Sequence, residues 1–222
     1  MKKIISVHAP KCAGSSFRCW LIQSFGEDNI YFDYDDMPVD PMSIMYIDPE
    51  RFEKKRQQDL QNSKGKRVIH GHFWVDKYKN IADAVRITFL RDPVSRTISH
   101  YFFWQKITRV EHSLYKYVVD NNLSLIEFAQ LPFIKYFYTK VFFRDVDMEQ
   151  FDFIGKFEQL QNGIDQLNVH FDTKTQIEHI NKTVYNNSVE LSDPKTLSCL
   201  KELLHDDIAF YEKWTKQKHD MP

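Results

Sequence analysis

Apolar positions along the chain follow two alternating patterns, short continuous runs and longer stretches with helical spacing. Ile4-Ile5-Ser6-Val7 is the kind of run a strand buried on both faces needs, and it stops at His8-Ala9-Pro10. Phe17, Trp20, Leu21, Ser24 and Phe25 then recur at i, i+3, i+4, i+7 and i+8. That spacing predicts a helix, with Ser15 or Ser16 as its cap and Gly26 as its stop. Residues 27–50 are acidic and aromatic, hold three prolines, and read as a loop or flap. Arg51–Gln61 reads as a polar helix, Lys66–His70 as a short strand running into Gly71-His72, and Ala84–Leu90 as a core strand. Asp92 is a good N-cap with Pro93 at the first helical position, and the helix that follows carries Ile98, Tyr101 and Phe102 on one side. Ser124–Glu127 has the capping-box pattern. Phe151–Phe157 is a third core strand, with Gly155 as a point of close approach, and Glu158–Val169 is the helix after it. Asp193-Pro194 opens a helix through Leu204, and Asp206–Lys216 forms the last one. Strands alternating with helices predict an α/β fold, a mostly parallel sheet with helices on both faces.

Composition narrows the function classes. A chain of 222 residues suits one sizeable domain, taken as 1–222, and 42% hydrophobic with 27% charged residues is an ordinary globular balance. Lys+Arg 30 against Asp+Glu 31 leaves a formal net charge of −1, so no global field favours nucleic acid or an anionic membrane. No apolar stretch reaches the ~20 residues a bilayer span requires. Three cysteines give neither a disulfide framework nor zinc spacing, so a reducing, cytoplasmic location is expected. The 15% aromatic share points to a large core or an aromatic-lined cleft.

Two segments carry candidate chemistry. His8-Ala-Pro-Lys-Cys-Ala-Gly-Ser-Ser-Phe17 lies between a strand and a helix, where backbone N–H groups and a helix N-terminus can meet an anion. Gly14 allows close approach, Ser15 and Ser16 offer hydroxyls, and Lys11 adds a cation. The Gly-Lys-[Ser/Thr] order of a Walker A loop is absent. In Phe89-Leu-Arg91-Asp-Pro-Val-Ser-Arg96-Thr-Ile-Ser99-His-Tyr101, a strand delivers Arg91 to its carboxyl end, and Ser99 follows two helical turns later.

Together the segments resemble the sulfotransferases that use 3′-phosphoadenosine 5′-phosphosulfate (PAPS), most closely the 2-O-sulfotransferase-like branch with its small bacterial members. That family has a Pro-Lys-x-x-Gly-[Thr/Ser]-[Thr/Ser] loop for the phosphosulfate and an Arg-Asp-Pro-x-x-Arg-x-x-Ser segment for the 3′-phosphate. Phe151–Leu160, Ile180–Thr183 and Asp207–Tyr211 extend the resemblance over most of the chain. It implies a P-loop-like fold and sulfuryl transfer from PAPS to an acceptor hydroxyl, possibly on a carbohydrate, with adenosine 3′,5′-bisphosphate as product. It further implies that Lys11, Cys12, Ala13, Gly14, Ser15 and Ser16 cradle the phosphosulfate, that Arg91 and Ser99 hold the 3′-phosphate, and that Lys182 and Thr183 close the cofactor side. Cys12 replaces the threonine common at its position. Arg96 could equally bind or be a helix-surface charge.

In-line transfer relies on positioning and on donors aimed at developing charge, and Lys11 suits neutralisation of the leaving group. The scheme requires no metal, and no His/Asp/Glu cluster has convincing metal spacing. In extended geometry His70 and His72 point to one side, and the branch resemblance makes His72 the general base, with His70 supporting it. His8, His100 and His112 have no such context and read as structural or exposed. Asp33, Asp35, Asp36 and Asp40 would repel a polyanionic acceptor if they line the cleft. Two alternatives remain open at this point: a P-loop-type nucleotide or small-molecule kinase, which would need a Mg²⁺ carboxylate, and a non-catalytic nucleotide-binding module.

Overall fold

The structure is a computed structural model that describes residues 2–108, 112–176 and 193–217. Five short strands, β1 (Ile4–Val7), β2 (Ile30–Asp33), β3 (Val68–Gly71), β4 (Val85–Leu90) and β5 (Phe153–Lys156), form one sheet in the order β2-β3-β1-β4-β5. Every neighbouring pair is parallel. β1 is central and buried along its whole length, which is why its sequence is a continuous apolar run and not an alternating one.

Alternate strand residues feed two separate cores. Ile4, Val68, Val85, Ile87 and Phe153 face α1 (Gly14–Phe25) and α8 (Leu160–Phe171), packing with Phe17, Trp20, Leu21, Ile164 and Leu167. Ile5, Val7, Ile69, Leu90 and Ile154 face the other way, toward Trp104 at the end of α4 (Pro93–Trp104), Val118 of α5 (Ser113–Asp120) and Phe128 of α6 (Leu125–Gln130). A third cluster joins Val94 and Ile98 of α4 to α6 and to α9 (Pro194–Leu203). The sheet is thus covered on both faces, as the alternating pattern predicts. A Cβ on Gly155 would stand 2.3 Å from the Phe89 ring, so the bare backbone there is what lets β5 lie against β4.

Capping chemistry reads through well. The Asp92 carboxylate accepts from the Ser95 N–H at 2.8 Å to start α4 behind Pro93, and Ser124 with Glu127 forms the reciprocal box on α6. Two expectations fail. Residues 27–50 are no simple flap: they contain β2, an edge strand whose four residues are too few to show a period, and the short helix α2 (Ile44–Ile47) before α3 (Pro49–Asn62). And α1 begins at Gly14 with Ala13 in the N-cap position, so neither Ser15 nor Ser16 caps it.

Candidate active site

The first loop leaves β1 at the carboxyl edge of the sheet and enters α1 through a tight turn. Lys11 (φ 70°) and Ala13 (φ 69°) both hold left-handed backbone, a costly state for non-glycine residues that persists only where the surroundings impose it. Among the described residues no side chain caps α1, whose N-terminal turn faces the loop. Gly14 is required by its neighbour: a Cβ there would lie 1.5 Å from the His8 ring. Cys12 is buried beneath the loop, while Ser15 is exposed and Ser16 buried.

β4 is the immediate neighbour of β1, and its end brings Arg91 to this loop. The Arg91 guanidinium donates to the Lys11 carbonyl at 3.3 Å and lies 4.2 Å over the Phe157 ring, while its buried Nε has no partner. Lys11 rests its ammonium 3.9 Å over the ring of Phe103. Burial, with Arg91 nearby, lowers the Lys11 pKa to about 8. Ser99, one turn before Phe103 on α4, is 2% exposed. Arg96 is not the surface charge that its sequence position allows. It is fully buried, 3.7 Å over Phe137, with Nη2 donating to Thr97 Oγ1 at 3.2 Å and Nη1 within 3.4 Å of His100 Nδ1. Among the described residues, none of Lys11, Arg91 and Arg96 has a carboxylate within ion-pair distance. Buried cations normally have one, so this gathering is set up for an anion. Lys182 and Thr183 lie outside the described residues.

The end of β3 supplies imidazoles. His70 and His72 do project to one side, and they meet His8, which sequence spacing alone leaves without a context. His8 stacks on His70 at 5.5 Å between centroids and lies 4.3 Å from His72, with Tyr34 edge-on to His72 at 4.9 Å. His70 is fully buried and its Nδ1 is bonded to Ser6 Oγ at 2.8 Å, so it cannot touch an acceptor without moving. His72 is half-buried as a residue, but its Nε2 is itself buried and has no partner among the described residues, so it too meets an acceptor only after a shift of the side chains around it. Burial, reinforced by His72, pushes His70 down to about 3; burial alone takes His72 to about 3. Burial also holds His8 well below its ordinary value, as do His72, His70 and Lys11 around it. The cluster is neutral at physiological pH.

The acidic stretch is used elsewhere. Lys77 is wholly buried, with Nζ 2.7 Å from Asp33, 2.7 Å from Asp36 and 2.6 Å from Asp59. Lys55 bonds Asp59 at 2.7 Å from the solvent side, and the Tyr78 hydroxyl donates to Asp33 at 2.8 Å. The fold therefore does assemble a carboxylate triad that linear spacing hides, with oxygens within 4.8 Å of one another, but an ammonium sits among them. Asp40 accepts from the Ser113 N–H at 3.0 Å and the Met42 N–H at 2.9 Å. Asp33, Asp36 and Asp40 are 2% exposed or less, so they do not line a cleft, and only Asp35 of the four is exposed.

The model of the sulfotransferase family matches residues 1–214. A sulfotransferase from Alicyclobacillus acidocaldarius aligns over 96% of this chain and 99% of its own, at 16% identity and a TM-score of 0.40. Mouse sulfotransferase SULT7A1, solved in complex with PAP, aligns over 97% of this chain and 88% of its own, at 10% identity and a TM-score of 0.48. No curated protein sequence matches. With the family model spanning the central strand, both candidate phosphate segments and most of the last helix, the chain belongs to the sulfotransferase family, enzymes of sulfuryl transfer.

Proposed function

We propose that this protein transfers a sulfuryl group from PAPS to an acceptor hydroxyl, as a single domain acting in the cytoplasm. The observation that carries the reading is the gathering of Lys11, Arg91 and Arg96 around one loop with no carboxylate of the described residues in ion-pair contact with any of them, Asp207 acting on Arg96 only from farther off. A nucleotide bearing a 5′-phosphosulfate and a 3′-phosphate supplies the balancing charge. Lys11 and residues 12–16 would hold the phosphosulfate, with the N-terminal end of α1 turned toward its oxygens. Arg91 and Ser99 would hold the 3′-phosphate, and Lys182 and Thr183 would close over the nucleotide. Bound there, PAPS brings an activated sulfuryl group on a phosphate leaving group. Lys11 then places a mobile point charge where negative charge develops. His72, neutral and with a buried, unpartnered Nε2 that a small side-chain shift would uncover, takes the proton of the attacking hydroxyl on that nitrogen, and His70, fixed by Ser6, keeps the cluster in place. The kinase reading is not favoured, because the carboxylate triad it would use for Mg²⁺ already holds Lys77.

The test has two arms. Incubation with labelled PAPS and an acceptor mixture should release adenosine 3′,5′-bisphosphate. Calorimetry should show that this bisphosphate binds at least tenfold more tightly than AMP, and that Arg91→Ala removes the difference, since a charge-assisted contact contributes about 1.5–3 kcal/mol. Equal affinity for the two nucleotides in the native protein would sink the assignment.

A further inference from the structure

Tyr138 lies in a π-helical turn, Phe137–Phe142, in a stretch with no phosphate-binding pattern of its own. Its ring is fully buried, edge-on to Phe137 at 5.2 Å and stacked with Phe210 of α10 (His205–Gln217) at 5.8 Å. That packing would satisfy a phenylalanine equally well. The hydroxyl is what needs explaining.

It has three partners, and all three belong to the two candidate phosphate segments. The hydroxyl donates to the Arg91 carbonyl at 2.8 Å, accepts from the Arg91 N–H at 3.0 Å, and lies 3.2 Å from Cys12 Sγ. A phenol has one proton and two lone-pair sites. With its proton on the Arg91 carbonyl, the hydroxyl can only accept from Cys12, whose thiol has the Tyr138 oxygen at 3.2 Å and the Pro10 carbonyl at 3.7 Å as competing acceptors. Burial raises the pKa of both groups, so both keep the protons these roles require. The turn is fixed from behind. Asp207, near the start of α10 and 1% exposed, accepts from the Tyr138 N–H at 2.8 Å, the Thr139 N–H at 3.0 Å and the Thr139 hydroxyl at 2.9 Å.

We infer that Tyr138 is a positioning residue, which locks the loop at Cys12 and the strand end at Arg91 into one relative placement, with Asp207 holding it there from the last helix. Through Cys12 and Arg91 it sets the spacing between the phosphosulfate and 3′-phosphate subsites. This rests on the nucleotide reading above. The last helix thereby acts on the site from behind.

Tyr138→Phe keeps the ring and deletes only the hydroxyl. The variant should melt cooperatively and bind adenosine 3′,5′-bisphosphate about tenfold more weakly, the scale of losing hydrogen bonds of this kind. AMP, which makes no use of Arg91, should lose much less, so the ratio of the two affinities falls. In Arg91→Ala, adding Tyr138→Phe should leave that ratio where it is, because the hydroxyl acts on it through Arg91. Asp207→Asn should lower the ratio in the same direction by a smaller factor. An unchanged ratio in Tyr138→Phe overturns the inference, whether both affinities hold or both fall together; the second pattern is what a purely structural tyrosine gives. Failure of the nucleotide reading looks different, since the native protein then shows no preference for the 3′-phosphate at all.

Discussion

Acidification from pH 7.5 to 5.5 should cost this protein a large part of its stability, and the reason is the neutral imidazole cluster. In the unfolded chain each histidine takes up a proton near pH ~6.5. In the fold, His70 and His72 do so only at about 3, and burial holds His8 and His100 well below their ordinary value too. Between those limits the unfolded state binds more protons, so stability is full above pH ~6.5 and falls as the pH falls. One unit below the unfolded pKa, each such group contributes about 1.4 kcal/mol of loss. His70 and His72 together account for about 3 kcal/mol at pH 5.5, and His8 and His100 act in the same direction. Against a domain stability of about 5–15 kcal/mol this is a major fraction. For a chain of this size the His70 and His72 part alone corresponds to a fall in Tm of about 6–12 °C. Unfolded Asp and Glu titrate near pH ~4, below this window, while the raised Asp33 and Asp207 take up protons in the fold first and so work against the loss. Thermal and urea melts at half-unit steps would measure it, and their slope should report an uptake of two to four protons on unfolding below pH ~6. A Tm that moves by less than about 2 °C over this range would refute the reasoning and place the rings in contact with solvent.

The same burial alters the expected kinetics. His72→Ala should slow the transfer step about 10²–10⁴-fold with nucleotide affinity nearly unchanged, and the native enzyme should show no acid limb near pH 6–7 in kcat, because its base stays neutral to about 3. An acid limb near 6.5 that disappears in the variant would mean that bound nucleotide restores the ordinary imidazole pKa. Lys11→Ala should lower single-turnover rate at saturating PAPS more than it lowers product affinity; a normal rate with weaker binding would make Lys11 a docking residue. Because Lys11 sits at about 8 without an anion, binding of adenosine 3′,5′-bisphosphate at pH 8 should raise its pKa and take up about half a proton. Calorimetry in two buffers of different ionisation enthalpy reads that uptake, and Lys11→Met should abolish it. Lys77→Met leaves three buried carboxylates facing one another and should destabilise the fold by about 3–5 kcal/mol, read as a shifted urea midpoint.

The parts of this architecture that sequence alone makes legible are those written in local chemistry. The run Ile4–Val7 marks a central strand because burial on both faces leaves no polar position except Ser6. Asp92-Pro93 and Ser124–Glu127 mark helix starts because a cap is a bond between residues three apart. The loop Lys11–Ser16 and the pair Arg91/Ser99 are likewise contiguous patterns, and the fold sets them on adjacent strands. What stays hidden is made by the topology. β2 has four residues and no period to detect. His8 gains its meaning only when β1 and β3 lie side by side and stack its ring on His70. Tyr138 reaches Arg91 across 47 positions of sequence, and no spacing rule links the two. Arg96 looks like a helix-surface charge because helix periodicity alone does not reveal that Phe137 covers that face.

The distribution of charge follows a single logic that composition conceals. A formal net charge of −1 suggests a featureless field, yet the positive and negative groups are partitioned by structure. On one side of the sheet's carboxyl edge, Asp33, Asp36 and Asp59 are consumed by Lys77 and Lys55, and Tyr31 and Tyr78 satisfy further lone pairs. Burial with Asp36 beside it still raises the Asp33 pKa, the mark of a network with one more carboxylate than its cations balance. On the other side, among the described residues, Lys11, Arg91 and Arg96 have no carboxylate within ion-pair distance, and buried Asp207 acts on Arg96 only from farther off. Anionic surplus is locked where substrate cannot reach, and cationic surplus is left where the nucleotide is proposed to bind. The acidic residues at 33, 36 and 40 consequently exert no contact repulsion on an acceptor, which leaves exposed Asp35 alone of the four to oppose a polyanion. Acceptor choice then rests on shape and on groups that approach His72, beginning with Tyr34, whose ring stands edge-on to it.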